Sequence, residues 1–309
     1  MQLVRGQHNL HATHRDCAAT IGNFDGVHLG HQAVFKALQE KAMQLGVPST
    51  VILFEPQPME FFQPQKAPPR LTRLREKLIH IRNCGIDRVV LLEFNQHLAS
   101  LSAEAFVQQV LVDGLAIRHL YVGDDFRFGR ERKGDFSLLQ TVGEKQGFSV
   151  EGMDTICHDE CRISSTRIRE ALAAGDFSTA ELCLGRPYQI CGRVGHGNRR
   201  GRTIGFPTLN INLHRSVSPV RGVFAVHVQG LEGQALPGVA NVGTRPTVDG
   251  KGRPLLEVHL FDFDRPVYGA QVGVTFIQRI RDEKKFSSFD ELQQQILLDA
   301  ARARNILHI

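Results

Sequence analysis

At 309 residues the chain is about twice the usual domain length, and its 42% hydrophobic content suffices for two ordinary cores. No stretch approaches the roughly 18 uninterrupted apolar residues of a membrane span, and "MQLVRGQHNLHATHRD" lacks an apolar h-region, so the chain reads as cytoplasmic with no membrane partner. A net charge of +5 favours polyanionic partners, but with no run of five like charges and no Trp an extended nucleic-acid surface is not supported.

Six cysteines, at 17, 84, 157, 161, 183 and 191, form no CxxC pair and read as reduced packing residues. Cys157, His158 and Cys161 lack the second ligand pair of a zinc site, and His8, His11 and His14 sit in a polar leader without carboxylate or cysteine partners.

In chain order, "CAATIG", "STVILFE", "DRVVLLEF" and "IRHLYVG" read as apolar strands. "HQAVFKALQEKAMQLG", "TRLREKLIHIRNCG" and "SAEAFVQQVLVDG" between them carry helical spacing and end at or near glycine. Such alternation predicts a Rossmann-like parallel sheet with right-handed crossovers, whose ligands bind beyond the carboxyl ends of the strands. The loops expected there are "GNFDGVHLGH", "EPQPMEFFQPQKAPPR" and "GDDFRFGR", and a further helical piece, "SSTRIREALAAGDF", follows "CRI".

Near residue 187 the texture changes. "YQICGRV", "TLNINL", "GVFAVHVQG", "ALPGVANVG", "LLEVHLFDF" and "AQVGVTFIQRI" are short strands with regular turn signals, which predicts an antiparallel barrel or sandwich. The chain closes in an amphipathic helix for which Ser288 and Glu291 form an expected capping box.

Gly22, Gly26 and Gly30 let a loop pass close to a bulky anion, and a helix starting near His31 aims its amides at that anion. His28 and His31, three apart, can both stand beside one phosphate; otherwise they hydrogen-bond within the turn. The stretch is neither G-x-G-x-x-G nor a Walker loop. A second anion cradle is offered by Ser164, Ser165 and Thr166 at a helix start with Arg167 and Arg169 behind them. In the alternative, Ser165 or Thr166 is only an N-cap. Two cradles in one α/β domain favour a nucleoside triphosphate.

In the second half, "GRVGHGNRRGRTIGFPTLNI" is a basic, glycine-rich loop running into a strand, also suited to phosphate. Thr208 and Asn210, two apart, share a side and can coordinate magnesium, or else have a strand-edge role. Glu257, a carboxylate among apolar strand residues, is costly to bury without a partner or a task, unless it faces the surface.

The pair "GNFDGVHLGH" and "ISSTRIR" resembles the HxGH and ISSTxxR elements of the nucleotidyltransferase superfamily, and "VGDDFRFGR" narrows the match. With "GRTIGFPTLN", "GVANVGTRPT" and "LEVHLFDF", the chain from about 15 to 305 resembles the prokaryotic bifunctional riboflavin kinase/FAD synthetase family. The resemblance implies an FMN adenylyltransferase domain at 1–186, and at 187–309 a riboflavin kinase domain folded as a six-stranded antiparallel β-barrel with a terminal helix. It implies that riboflavin and ATP give FMN and ADP, that FMN and ATP then give FAD and pyrophosphate, and that Mg2+ serves both steps.

By the same resemblance His28, His31 and Arg169 act on the ATP phosphates, Gly22, Asn23, Phe24, Asp25, Gly26 and Gly30 line the nucleotide, and Ser164, Ser165 and Thr166 form the second cradle. Phe62, Asp125, Phe126 and Phe128 fall on the flavin side, Phe128 serving equally well to fill the sheet edge. In the kinase half Gly201, Gly205 and Pro207 hold ATP, Thr208 and Asn210 hold the metal, and Glu257 is the base. Two departures stand out: Gln57 where the family often has histidine, and Asp125 where it often has asparagine. Two other readings remain at this point. One is a nucleotidyltransferase for a different small phosphate with a barrel as binding module, which leaves the metal pair and the base without a use. The other is a nucleic-acid binder, which the lack of clustered aromatics on the barrel strands disfavours.

Overall fold

The computed structural model describes residues 1–123, 126–153, 156–158, 161–196, 206–245 and 253–309. They form two compact units, Met1–Pro68 with Leu74–Ile163, and Pro69–Arg73 with Ser164–Ile309. No helix among them is long and apolar enough to cross a membrane.

The first unit is built on β1 (Gln2–Arg5), β2 (Cys17–Ile21), β3 (Ser49–Glu55), β4 (Arg88–Glu93), β5 (Ile117–Gly123) and β6 (Ser149–Met153), in the spatial order β1-β4-β3-β2-β5-β6 with every pairing parallel. Strands covered on both faces need apolar residues at every position rather than at alternate ones, and all five residues of β2 are buried. Ala18, Val51, Leu53, Val89 and Leu91 pack with Phe35, Leu38 and Ala42 of α1 (Leu29–Leu45) and with Ile81 of α3 (Leu74–Asn83). Cys17, Ala19, Ile21, Ile52, Val90 and Leu92 face the other way, against Phe106, Val107, Val110 and Leu111. Each fully buried Val, Leu, Ile or Phe among them contributes on the order of 1.5–3 kcal/mol.

Since β2 is flanked by β3 on one side and β5 on the other, the chain order reverses at its carboxyl end. This is the switch point where an open α/β sheet leaves a crevice. The glycine–histidine loop leaves β2 there, and parallel pairing puts the loops after β3 and β5 on the same edge.

The polar N-terminal leader begins with a strand. Gln2–Arg5 pairs with β4, and the buried Arg88 guanidinium donates to His14 O (2.8 Å) and Thr13 O (3.3 Å). His14, 5% exposed, has its Nε2 3.0 Å from the Gln2 amide nitrogen, and its Nδ1 accepts from His11 N, so the His14 imidazole ties the leader to the strand. Among the described residues no cluster of three or more His, Cys, Asp or Glu suits a metal, and all six cysteines are free. The sequence reading also passed over α6 (Phe136–Gln146) and β6, whose polar "SVEGM" carries no strand periodicity. The predicted helix over 102–114 is α-helical for Ala103–Phe106 and π-helical for Val107–Gly114.

The first unit also carries the short antiparallel pair β7 (Cys157–His158) and β8 (Cys161–Arg162). In the second unit, β9 (Gln189–Gly195), β10 (Leu209–Asn212), β11 (Gly222–Gln229), β12 (Leu236–Arg245), β13 (Arg253–Leu260) and β14 (Gln271–Arg281) close into an antiparallel barrel ordered β10-β13-β12-β11-β14-β9. Period-two alternation sends Leu256, Val258 and Leu260 inward, at 0–3% exposure, and leaves Glu257 and His259 on the outer face, half-buried. Phe177, at the start of α8 (Phe177–Leu184), stacks on the interior Phe276 and meets Phe224 edge-on.

The terminal helix, Phe289–Leu307, covers part of the outer face through Ala300 and Ala303 against Val223, Val239, Phe261 and Ile280. Arg281 clamps it, with Nε 3.0 Å from both Asp299 carboxylate oxygens and Nη2 2.7 Å from Oδ2. Ser288 caps this helix by accepting from Glu291 N at 3.2 Å. The reciprocal half of the expected box is displaced by one residue, because Glu291 accepts from Ser287 N and Ser287 Oγ instead.

Candidate active sites

In the first unit the loop after β2 enters α1 through His28, one residue before helical geometry begins. The helix therefore starts at Leu29, two residues ahead of the expected His31. His28 is the N-cap: its Nδ1 accepts from His31 N at 3.3 Å, which leaves the ring proton on Nε2. The two imidazoles stack 3.5 Å apart at 19°, and Phe24 meets His31 edge-on at 5.1 Å. Gly30 lies under this stack, where an added Cβ would come within 3.2 Å of the His28 ring.

Burial, then His28, then Lys77 hold the His31 pKa well below its ordinary value, so at neutral pH the imidazole is an uncharged hydrogen-bonding group. His31 Nδ1 is buried with no hydrogen-bond partner among the described residues. An orphaned buried nitrogen costs about 1–3 kcal/mol, which makes it a place where a ligand atom is expected.

The positive charge comes from a residue that sequence reasoning missed. Lys77, 1% exposed, donates from Nζ to Asn23 O at 2.5 Å. Its signal was available: Leu74, Lys77 and Ile81 fall on one helical stripe, so a lysine occupies a core position of α3. The loop it holds is strained, with Phe24 and Val27 both at φ 44° and Gly26 at φ 87°. A β-branched residue in the left-handed region is an outlier that persists only where the surroundings enforce it.

The predicted flavin-side residues in the described part of the chain are joined by rings that were not predicted. Phe62, 59% exposed, touches Phe61 and Phe94; Phe94 meets Phe54; Phe54 meets Phe106; Phe106 meets Phe128; and Phe126 stacks on Phe128 at 5.4 Å and 17°. This run follows the carboxyl edge of the sheet. Phe128, 6% exposed, takes the packing role, while Phe126 and Phe62 keep surface available. Gly129 (φ 72°) lets the Phe128 loop lie on α5 (Ala103–Phe106), where a Cβ would come 2.7 Å from Ala103 backbone. Gln57, the first departure from the family pattern, caps α2 (Pro58–Phe62), and its buried Nε2 has no partner among the described residues. Asp125, the second, lies outside the described residues, as do Gly201 and Gly205.

The motif "ISSTRIR" starts α7 (Ser165–Ala174), which packs within the second compact unit. Its N-cap is Ser164, whose Oγ accepts from Arg167 N at 3.2 Å, rather than Ser165 or Thr166. Arg169 Nε donates to Pro69 O at 2.7 Å, which sets the plane of its guanidinium.

On the barrel, cross-strand register assembles the second site. Asn210 of β10 stands opposite Glu257 of β13, and Glu257 stands opposite Asn241 of β12. Thr208 lies immediately before β10, and Asn210 Nδ2 donates to its backbone carbonyl at 3.4 Å. Glu257 is half-buried on the outer face of the barrel, so it avoids the full penalty of an interior carboxylate. Asn241 and His259 were not singled out from the sequence, although the alternation that exposes Glu257 exposes His259 as well. Burial is the main cause of a lowered His259 pKa.

A parallel sheet with a histidine-capped loop at its switch point, followed by a closed antiparallel barrel with a carboxylate opposite two amides, makes this an α/β-plus-barrel protein with a Rossmann-like first half. A FAD synthetase family model matches residues 10–167, and a riboflavin kinase family model matches 184–307. The chain is 53% identical to a bifunctional riboflavin kinase/FMN adenylyltransferase of Pseudomonas fluorescens, with 98% of this chain and 97% of that protein covered. It is 52% identical to the protein of that name in Escherichia coli K12, at the same coverage. Its fold matches a crystal structure titled as a macrolide-efflux protein from Streptococcus pneumoniae, with a TM-score of 0.80, 31% identity and 99% of both chains covered. The chain belongs to the bifunctional riboflavin kinase/FMN adenylyltransferase family, its FAD synthetase domain N-terminal and its riboflavin kinase domain C-terminal.

Proposed function

We propose that this enzyme phosphorylates riboflavin on the barrel and adenylylates the resulting FMN at the sheet edge, with 187–309 as the kinase domain and 1–186 as the adenylyltransferase domain. The observation that carries the division of labour is the assembly of two unrelated polar sites, the His28–His31 stack on α1 and the Asn210–Glu257–Asn241 row on the barrel.

In the adenylyl transfer an FMN phosphate oxygen bonds to the α-phosphorus of ATP, the bond from that phosphorus to the β-phosphate bridging oxygen breaks, and pyrophosphate departs. No protein nucleophile is required, so catalysis rests on alignment and on stabilising charge at the phosphates. His28 donates from Nε2, uncharged His31 supplies its neighbouring ring, the α1 amides face the anion, and Lys77 supplies buried positive charge behind the loop. Gly22, Asn23, Phe24, Asp25, Gly26 and Gly30 shape that loop. On its motif we assign the α7 start to the same reaction, with Ser164, Ser165, Thr166 and Arg169. Phe62 and Phe126 offer the isoalloxazine apolar surface, and Phe128 supports them.

In the kinase reaction a ribityl hydroxyl attacks the γ-phosphorus of ATP, ADP leaves, and Glu257 accepts the hydroxyl proton. The donor set here is hard oxygen, namely the Thr208 hydroxyl and the Asn210 amide oxygen held by its Nδ2 bond, which fits Mg2+. Thr208 and Asn210 would hold the magnesium ion, whose positive charge would offset that of the ATP phosphates.

Incubation with riboflavin, ATP and magnesium, with chromatographic separation of riboflavin, FMN and FAD, tests the assignment. His31→Ala should stop FAD formation and spare FMN formation; Glu257→Ala should stop FMN formation yet still convert supplied FMN to FAD. A folded variant that loses both activities would refute the separation of the sites.

A further inference from the structure

We propose that His259 is a positioning residue of the kinase site, acting through the Pro207 carbonyl to set Thr208 beside Glu257; this rests on the reading of Thr208, Asn210 and Glu257 given above. Its ring nitrogen Nδ1 lies 2.9 Å from Pro207 O. A carbonyl only accepts, so the Nδ1 proton is the one donated. Register places the contact: Leu209 pairs with Val258 and Asn210 with Glu257, so the next positions along the same two segments are Thr208 and His259. Residues two apart share a face, and His259 therefore stands to Thr208 as Glu257 stands to Asn210.

The contact falls just ahead of β10, whose described pairing with β13 begins at Leu209. Pro207 has no N–H and a locked φ, so its carbonyl is the group through which a neighbour can orient the peptide leading into Thr208. The imidazole is itself held. Phe206 meets it edge-on at 4.8 Å and packs into the cluster under the terminal helix, and Phe261 approaches from along β13 at 5.8 Å. Arg304 lies over the Phe261 ring at 4.4 Å and pairs with Asp262, which ties this aromatic box to the terminal helix. A boxed donor holding one carbonyl next to a ligand hydroxyl is how supporting residues keep a site within a fraction of an ångström of its working geometry.

Asparagine and glutamine separate this role from a packing role, because the Asn amide nitrogen reaches the position of imidazole Nδ1 and the longer Gln amide does not. His259→Gln is expected to lower riboflavin kinase kcat/KM for ATP about tenfold and to raise the magnesium concentration giving half-maximal rate, while the KM for riboflavin stays unchanged. His259→Asn should retain most of the wild-type rate and magnesium dependence, and conversion of supplied FMN to FAD should be normal in both. Equal kinetics for the two variants, or a loss spread evenly over ATP, magnesium and riboflavin, overturns the proposal. Glu257→Gln distinguishes the failure of the underlying reading: if it still phosphorylates riboflavin, the site itself is misassigned. If it is inactive while His259→Gln has wild-type ATP and magnesium dependence, the role of His259 alone is wrong.

Discussion

Lys77→Met removes the buried cation that holds the phosphate loop while leaving a side chain of similar length in its place. Lys77 is 1% exposed and its Nζ lies 2.5 Å from Asn23 O. A hydrogen bond to a charged group contributes about 1.5–3 kcal/mol. Removing one partner of a buried contact leaves the other unsatisfied, so global stability should fall by about 1–3 kcal/mol. The loss is concentrated in the loop, where Phe24 and Val27 sit at φ 44° and relax once Asn23 O is released. At about 1.4 kcal/mol per decade, this predicts roughly a 10- to 100-fold fall in kcat/KM for ATP in FAD formation. Riboflavin kinase activity measured on the same preparation should be unchanged, with a melting temperature a few degrees below wild type. The His31 pKa should rise only partway towards its ordinary value, since burial outranks Lys77 among its causes. Undiminished FAD formation would refute the reasoning. A parallel fall in both activities would refute it too, because the loss would then not be confined to the phosphate loop.

Two further outcomes follow from buried polar groups. Burial pushes His119, which is 0% exposed and has its Nδ1 2.6 Å from Ser149 Oγ, down to about 4, with Lys41 adding to the shift and Glu151 opposing it. The folded state therefore refuses a proton that the unfolded chain takes up near 6.5. Stability should be full above about pH 6.5 and should decline towards pH 4 by at most about 3 kcal/mol. Denaturant unfolding of His119→Asn at pH 7 and pH 4.5 should show a flatter acid limb, and an unaltered slope contradicts this. Asp299→Ala leaves the Arg281 guanidinium without its carboxylate, and with Arg281 at 22% side-chain exposure the cost should be about 3 kcal/mol, the lower end for a broken buried pair. Riboflavin phosphorylation should then be lost at a lower temperature than FAD formation from supplied FMN; equal heat sensitivity of the two activities would argue against the clamp.

Legibility in the sequence varied with the range of the interactions involved. The strands of the sheet were readable because β2, β3 and β4 are short, almost wholly apolar runs, as covering on both faces demands. The barrel strands were readable from alternation and turn residues. β1 and β6 were not, because edge strands such as "QLVR" and "SVEGM" bury little and are ordered by one neighbour each. The histidine pair was visible as spacing, but the His28 N-cap, which moves the helix start to Leu29, is a matter of backbone conformation that residue identity leaves open. Lys77 was passed over because a lysine in a helical pattern reads as a solvated face until its stripe is compared with Leu74 and Ile81.

Hydrophobic period and turn signals are local properties of the chain, and they were enough to read the α/β-plus-barrel class and the two-part organisation from the sequence. Only the tertiary structure decided which residues act together. Asn210, Glu257 and Asn241 lie on three strands far apart along the chain and meet through cross-strand register. His259 reaches Pro207 across 52 positions of sequence. The charge behind the histidine loop comes from α3, 54 residues beyond Asn23. Such contacts depend on strand order and burial, which arise when distant segments exclude water from one another, and neither is encoded in any single stretch of the chain.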